Sequence, residues 1–125
     1  MTKLRELYYC KHCKNLVEVT AEGATALVCC GEDMELLEAK TVDQGKEKHV
    51  PVVSKKDDGV WVKVGDVPHP MTEEHWINFI EVCTADKVIR KELTADDAPE
   101  GWFNVTLADV VCVRSYCNLH GLWKA

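Results

Sequence analysis

The sequence has no apolar run approaching the roughly 20 residues of a membrane-spanning helix; its longest are a handful of residues. A membrane is therefore not an expected partner. Clustered cations are missing as well: 15 Lys and Arg face 21 Asp and Glu, for a formal net charge of −6. Phosphate backbones are held by such clusters, so nucleic acid is not expected either. Convincing helical periodicity over ten residues is absent, and Met1 to Glu6 form no apolar signal region that would suggest export. The seven cysteines are an odd number. An extracellular disulfide framework calls for an even count and a leader, so the count points to a reducing cytoplasm and metal thiolates.

What is present is a chain of 125 residues, 46% hydrophobic, enough for one small domain or a domain with an appended module. Four cysteines come early. Tyr9-Cys10-Lys11-His12-Cys13 is a Cys-x-x-Cys knuckle, and Val28-Cys29-Cys30-Gly31 brings two more thiols. Between them Leu16-Val17-Glu18-Val19 has strand character and Glu22-Gly23-Ala24 reads as a turn, so a hairpin is expected to unite the two pairs. Four thiolates around one ion make a tetrahedral site suited to zinc or iron. Such a site supplies folding energy that so short a segment cannot draw from its own core. With four thiols available, His12 is expected to be an exposed loop residue.

Residues 38–46 are polar and without periodicity, the pattern of a linker. After them the pattern is β throughout. His49-Val50-Pro51-Val52-Val53 and Val60-Trp61-Val62-Lys63-Val64 flank a turn at Lys56 to Gly59, which reads as a hairpin. Further strands are expected over Trp76 to Val82, Lys87 to Leu93, Trp102 to Val105 and Val110 to Val113. Six or seven short strands predict a small antiparallel sandwich. Cys83 and Cys112 fall in apolar strands and read as buried small hydrophobes. The four tryptophans read as core or site-wall residues.

Cys117 and His120 stand three residues apart after an apolar run, a ligand pair in need of partners. Three upstream histidines offer themselves. His49 opens a strand after Glu47 and Lys48, and His69 and His75 stand six positions apart, followed by Pro70 and Trp76 respectively. A lone histidine is more often a surface or satisfied core residue. Loop or strand-end placement of all four, one beside a cysteine, raises the joint case for a shared metal.

These motifs resemble known families. The adjacent thiols of Leu27-Val28-Cys29-Cys30-Gly31 look like desulforedoxin, although Lys14 stands where a glycine commonly follows the knuckle. A non-glycine there costs about 1 kcal/mol if the position is left-handed. Glu47-Lys48-His49-Val50-Pro51, His69-Pro70-Met71, Glu74-His75-Trp76 and Cys117-Asn118-Leu119-His120-Gly121 resemble the signature of desulfoferrodoxin, the two-iron superoxide reductase, and the likeness spans essentially the whole chain. The resemblance implies an all-β chain: a desulforedoxin-like module over 1–37, a linker over 38–46, and an immunoglobulin-like superoxide reductase domain over 47–125. It implies two irons per chain, one on Cys10, Cys13, Cys29 and Cys30. The other is ferrous, with His49, His69, His75 and His120 equatorial, Cys117 axial and a sixth position open. Glu47 and Lys48 match its catalytic pair. A homodimer and a rubredoxin-like electron donor are also implied.

The implied reaction takes one electron and two protons per superoxide, yields hydrogen peroxide and makes no dioxygen. Loading the chain with one ferric and one ferrous ion against five ionised thiols leaves its formal charge at −6. Attraction of an anion must then be local, within a screening length of about 8–10 Å, and Lys48 is the expected source. The axial thiolate pushes electron density toward whatever binds opposite it. The competing reading is a non-catalytic two-iron electron-transfer protein, and a third is a structural zinc module.

Overall fold

The computed structural model describes every residue except Ala24 and residues 44–47. The described residues contain twelve short strands, a single 3-10 turn at Leu107–Asp109 and no α-helix. The chain separates into two compact units, Met1–Glu38 and Ala39–Ala125.

In the first unit, β1 (Leu7–Tyr9) is the central strand of a sheet ordered β2-β1-β5, with β2 at Leu16–Glu18 and β5 at Glu35–Leu36. A separate hairpin pairs β3 (Val28–Cys29) with β4 (Glu32–Asp33). The single hairpin expected from the sequence to unite the cysteine pairs is not formed; each pair belongs to a hairpin of its own. Cys10 to Cys13 turn between β1 and β2, and Cys30-Gly31 turn between β3 and β4. Cys30 (φ 54°) and Gly31 (φ 74°) are both left-handed, the demand of a tight two-residue hairpin. Lys14 also adopts a left-handed φ, 71°, so the glycine-like strain at that position is present.

The second unit is an antiparallel sandwich of the expected immunoglobulin-like kind. One sheet runs β10-β7-β6, over Glu100–Phe103, Gly59–Val64 and Pro51–Lys56. The other runs β12-β11-β8-β9, over Gly121–Lys124, Cys112–Cys117, Ile77–Cys83 and Val88–Glu92. The β6–β7 turn places Asp57 and Asp58 at positive φ (48° and 63°), matching the twist of the hairpin. Alternation along β7 buries Val60, Val62 and Val64 completely, against Ile77, Ile80, Val82, Val113 and Cys117 of the facing sheet. One end of that core is thus a metal-ligand candidate.

On its other face the four-stranded sheet carries three successive β8–β11 pairs. Phe79 stacks on Tyr116, with centroids 5.9 Å apart and planes at 11°. Glu81 faces Arg114 at 2.5 Å and also accepts from Arg90 at 3.3 Å. Cys83 faces Cys112. Cys83 is fully buried as expected, but Cys112 is only half-buried: it starts its strand, where the cover of neighbouring side chains gives out.

Candidate metal centres

In the first unit the four sulfurs of Cys10, Cys13, Cys29 and Cys30 lie within 4.8 Å of one another. Tetrahedral thiolates about 2.3 Å from one ion stand about 3.8 Å apart. The Cys13–Cys29 and Cys29–Cys30 sulfur separations, 3.5 and 4.0 Å, bracket that value, so the donor set fits a tetrahedral ion. The knuckle is built by the backbone: the Lys14 amide donates to the Cys10 carbonyl at 2.8 Å, and the Cys13 amide reaches Cys10 Sγ at 3.5 Å. That amide, chiefly, pulls the Cys10 thiol down to about 6. Hydrogen bonds with Cys13 and Cys10 raise Cys29, and push Cys30 up to about 12. Four thiols sharing so little space cannot all ionise without a cation among them. His12 is exposed and pairs with Glu32, whose carboxyl its hydrogen bond lowers, so it stands apart from the sulfurs as expected.

The second cluster is assembled from four separate segments. His49 precedes β6, His69 and His75 lie between β7 and β8, Cys117 ends β11 and His120 lies in the turn before β12. Their five donor atoms lie within 4.8 Å of one another. The rings form a closed cycle of edge contacts, His49–His69–His75–His120–His49, with centroids 4.6 to 5.0 Å apart and planes crossing at 63° to 83°. Such a cycle is a four-bladed array around a common centre. His49 and His69 present Nε2 to Nε2 at 3.0 Å. Two nitrogens at right angles, each about 2.1 Å from one ion, stand that same distance of about 3.0 Å apart. Cys117 Sγ lies 3.7 Å from His120 Nδ1, which identifies the ring atom that His120 turns inward. One thiolate and four imidazoles at these spacings fit a transition-metal ion such as iron.

Neighbouring groups orient the donors. His69 Nδ1 donates to the Pro70 carbonyl at 2.7 Å, which leaves Nε2 as the lone-pair atom facing the cluster. Ser115 Oγ donates to the His49 carbonyl at 3.1 Å, and Asp43 Oδ1 accepts from the His49 and Val50 amides at 2.6 and 2.9 Å. The Trp123 ring stacks on His49 at 4.6 Å, while its Nε1 and Lys40 Nζ both donate to the His120 carbonyl at 3.1 Å. Asn118 ties two ligand segments together. Its Oδ1 accepts from the Trp76 amide at 2.9 Å and its Nδ2 donates to the Glu74 carbonyl at 2.8 Å. Asp43, Ser115 and Asn118 escaped the sequence reading. Asn118 alone had a signal, its place between Cys117 and His120.

Burial is graded across the cluster. Cys117 (0% exposed), His49 and His69 (3% each) are buried, His75 is half-buried and His120 is exposed. Solvent therefore meets the cluster from the His75 and His120 side. Lys48 is half-buried immediately before His49, against Gly65, which is left-handed (φ +82°) and closely packed: a Cβ there would sit 2.6 Å from the Lys48 carbonyl oxygen. Glu47 lies outside the described residues.

The Desulfoferrodoxin family model matches residues 41–125, and the model of the desulfoferrodoxin N-terminal domain matches residues 2–37. A desulfoferrodoxin homolog of Archaeoglobus fulgidus is 50% identical over 125 residues, covering 100% of this chain and 99% of its own. The desulfoferrodoxin of Nitratidesulfovibrio vulgaris is 52% identical over 120 residues, with 96% and 94% covered. Among solved structures, the superoxide reductase from Treponema pallidum superposes with a TM-score of 0.79 at 34% identity, covering 96% of each chain. A 1Fe superoxide reductase from Giardia intestinalis reaches 0.53 at 30% identity, covering 64% of this chain and 96% of its own.

Proposed function

This chain belongs to the desulfoferrodoxin family, and we propose that it is a superoxide reductase, forming hydrogen peroxide at the histidine-rich cluster. The observation that carries the reading is the convergence of four imidazoles and one thiolate, within 4.8 Å, from four segments. A metal ion held by these five donors would have room for one further ligand, the substrate. In this reading His49, His69, His75, His120 and Cys117 hold the catalytic iron. Cys10, Cys13, Cys29 and Cys30 hold a second iron that passes electrons.

A ferrous ion held there would supply the single electron. The protein's share is positional. The Pro70 carbonyl keeps a proton on His69 Nδ1 and so presents the Nε2 lone pair inward. Asp43, Ser115 and Trp123 fix His49 from its amide, its carbonyl and its ring face. Full burial of Cys117 keeps water from solvating its sulfur, which preserves the charge it donates. Lys48, the residue before His49 in a chain of net negative charge, is assigned the local attraction for an anion and the supply of protons at Nζ. Glu47, its neighbour, is assigned the role of capping the site after turnover, on the strength of the Glu47-Lys48-His49-Val50-Pro51 motif.

The proposal extends to a division of labour between residues 1–37 and 47–125 across a linker at 38–46. It also includes a rubredoxin-like electron donor, a homodimer and a cytoplasmic location. The seven thiols, five of them laid out as metal ligands, support a reducing compartment. Exposed Val17 and Leu36, both in register with Tyr8, offer an association surface. Among the described residues, no helix is long and apolar enough to cross a membrane.

Pulse radiolysis of the reduced, iron-loaded protein tests the reading. Each reduced chain should consume superoxide and release equimolar hydrogen peroxide without dioxygen, with two irons per chain. Azide or cyanide should perturb the spectrum of the histidine-rich iron; if neither does, the chain is an electron carrier instead.

A further inference from the structure

Cys83 and Cys112 belong to neither cluster. They are directly opposed on β8 and β11, as the last register pair of the two strands. Opposed residues of antiparallel strands have Cα atoms about 4.5–5.5 Å apart, inside the window of about 4.4–6.8 Å that a disulfide accepts. The strand that carries Cys112 ends at Cys117, five residues on and about 17 Å away at strand rise. The pair is therefore remote from the metal yet within easy diffusion of anything released there. Its two members differ in access, Cys83 being fully buried and Cys112 half-buried. The contact with Cys112, followed by burial, raises the Cys83 thiol well above its ordinary range, so Cys83 stays protonated until attacked or attacking.

We propose that Cys83 and Cys112 are a reversible modification site, a dithiol that hydrogen peroxide closes to a cross-strand disulfide. The Cys112 sulfur attacks one peroxide oxygen, the O–O bond breaks, and the other oxygen leaves as water with the thiol proton. The resulting sulfenic acid is attacked by Cys83, and a second water leaves as the S–S bond forms. Two thiols lose two electrons, one peroxide gains two, and two waters result. Accessibility assigns the first attack to Cys112, and proximity assigns the resolving step to Cys83. Transient, oxidant-sensing disulfides of this sort are compatible with a reducing cytoplasm. That the chain itself makes the oxidant rests on the superoxide-reducing reading; the chemistry of the pair does not.

The test uses the iron-loaded full chain, reduced, desalted and treated with hydrogen peroxide, then alkylated and digested with trypsin. Cys83 lies alone in peptide 64–87 and Cys112 alone in peptide 92–114, so their linkage is read directly by mass. The expected result is a linked pair accounting for most of both cysteines and lost on thiol reduction. Undiminished alkylation of both peptides, or Cys112 passing to sulfinic acid without linkage, would overturn the proposal. In Cys83→Ser, Cys112 should stop at a sulfenic acid trapped by a dione reagent. In Cys112→Ser, Cys83 should remain a thiol, and its oxidation at an undiminished rate would refute the order of attack. The unsubstituted chain decides the matter even if a variant misfolds. A final arm replaces peroxide with a superoxide flux. Because superoxide dismutates to peroxide unaided, the flux is compared with and without iron loading: linkage by peroxide with no acceleration by the irons under the flux supports the dithiol and counts against the superoxide-reducing reading.

Discussion

Replacing Asn118 with alanine should loosen the histidine-rich centre without touching a ligand. Its carboxamide makes two hydrogen bonds, 2.9 Å from the Trp76 amide and 2.8 Å to the Glu74 carbonyl, which flank His75 on either side. Asn118 itself follows Cys117 and lies two residues before His120. The side chain thus adds two bonds between the His75 segment and the Cys117–His120 turn, beside the backbone bond from the Asn118 amide to the Trp76 carbonyl at 3.3 Å. Each bond contributes about 1 kcal/mol net, so the metal-free second unit should lose about 2 kcal/mol. For a domain of this size that lowers Tm by roughly 8–16 °C. Groups that orient metal ligands typically matter 10- to 100-fold in affinity, so iron should be lost to a competing chelator that much more readily. Chelator competition, read at the optical bands of the two centres separately, is the assay. The four-cysteine centre serves as an internal control, because Asn118 belongs to the other unit. Iron retention within twofold of the parent, or equal loss from both centres, would refute the positioning role.

Lys48→Ala should slow the reaction with superoxide at low salt and flatten its ionic-strength dependence, with both metals retained; stopped-flow or pulse radiolysis across a salt series measures this, and unchanged low-salt kinetics would remove Lys48 from steering. Cys13→Ser should abolish the tetrathiolate colour yet spare superoxide reduction by an artificial donor, so a dead enzyme with an intact second centre would contradict the separation of roles. Gly65→Ala should destabilise the second unit by about 2–4 kcal/mol, combining left-handed strain with overpacking. The added Cβ meets the Lys48 carbonyl and Cβ at 2.6 and 2.7 Å; a thermal midpoint within 2 °C of the parent, checked calorimetrically, would show that Lys48 yields freely.

Much of the molecule is legible in the sequence. Period-two alternation in Val60-Trp61-Val62-Lys63-Val64 announces a half-buried strand, and β7 is one. The Cys-x-x-Cys knuckle is a local device, closed by bonds between Cys10 and its next few residues. Other features are set by contacts that the local sequence does not encode. A single hairpin was expected to unite the cysteine pairs, but β1 pairs with β2 while β3 pairs with β4, and strand partners are not encoded by spacing alone. Cys112 was expected to be buried because its neighbours are apolar; its position at the first residue of β11 leaves it half-covered. Asp43 lies in a polar stretch without periodicity, so nothing local marked it as the acceptor for the His49 and Val50 amides.

Sequence by itself determined the chemistry: which side chains could hold metal, that they divide into a thiolate set and a histidine-rich set, and that strands would carry them. Donor identity and short-range spacing are covalent facts, and they survive without knowledge of the fold. Tertiary structure decided the arrangement. The closed cycle of four imidazoles, the graded burial from Cys117 to His120, the Asn118 tie and the Cys83–Cys112 opposition all depend on strand register between segments tens of residues apart. Register is fixed by which face of each strand must be buried, a property of the packed sandwich rather than of any one segment.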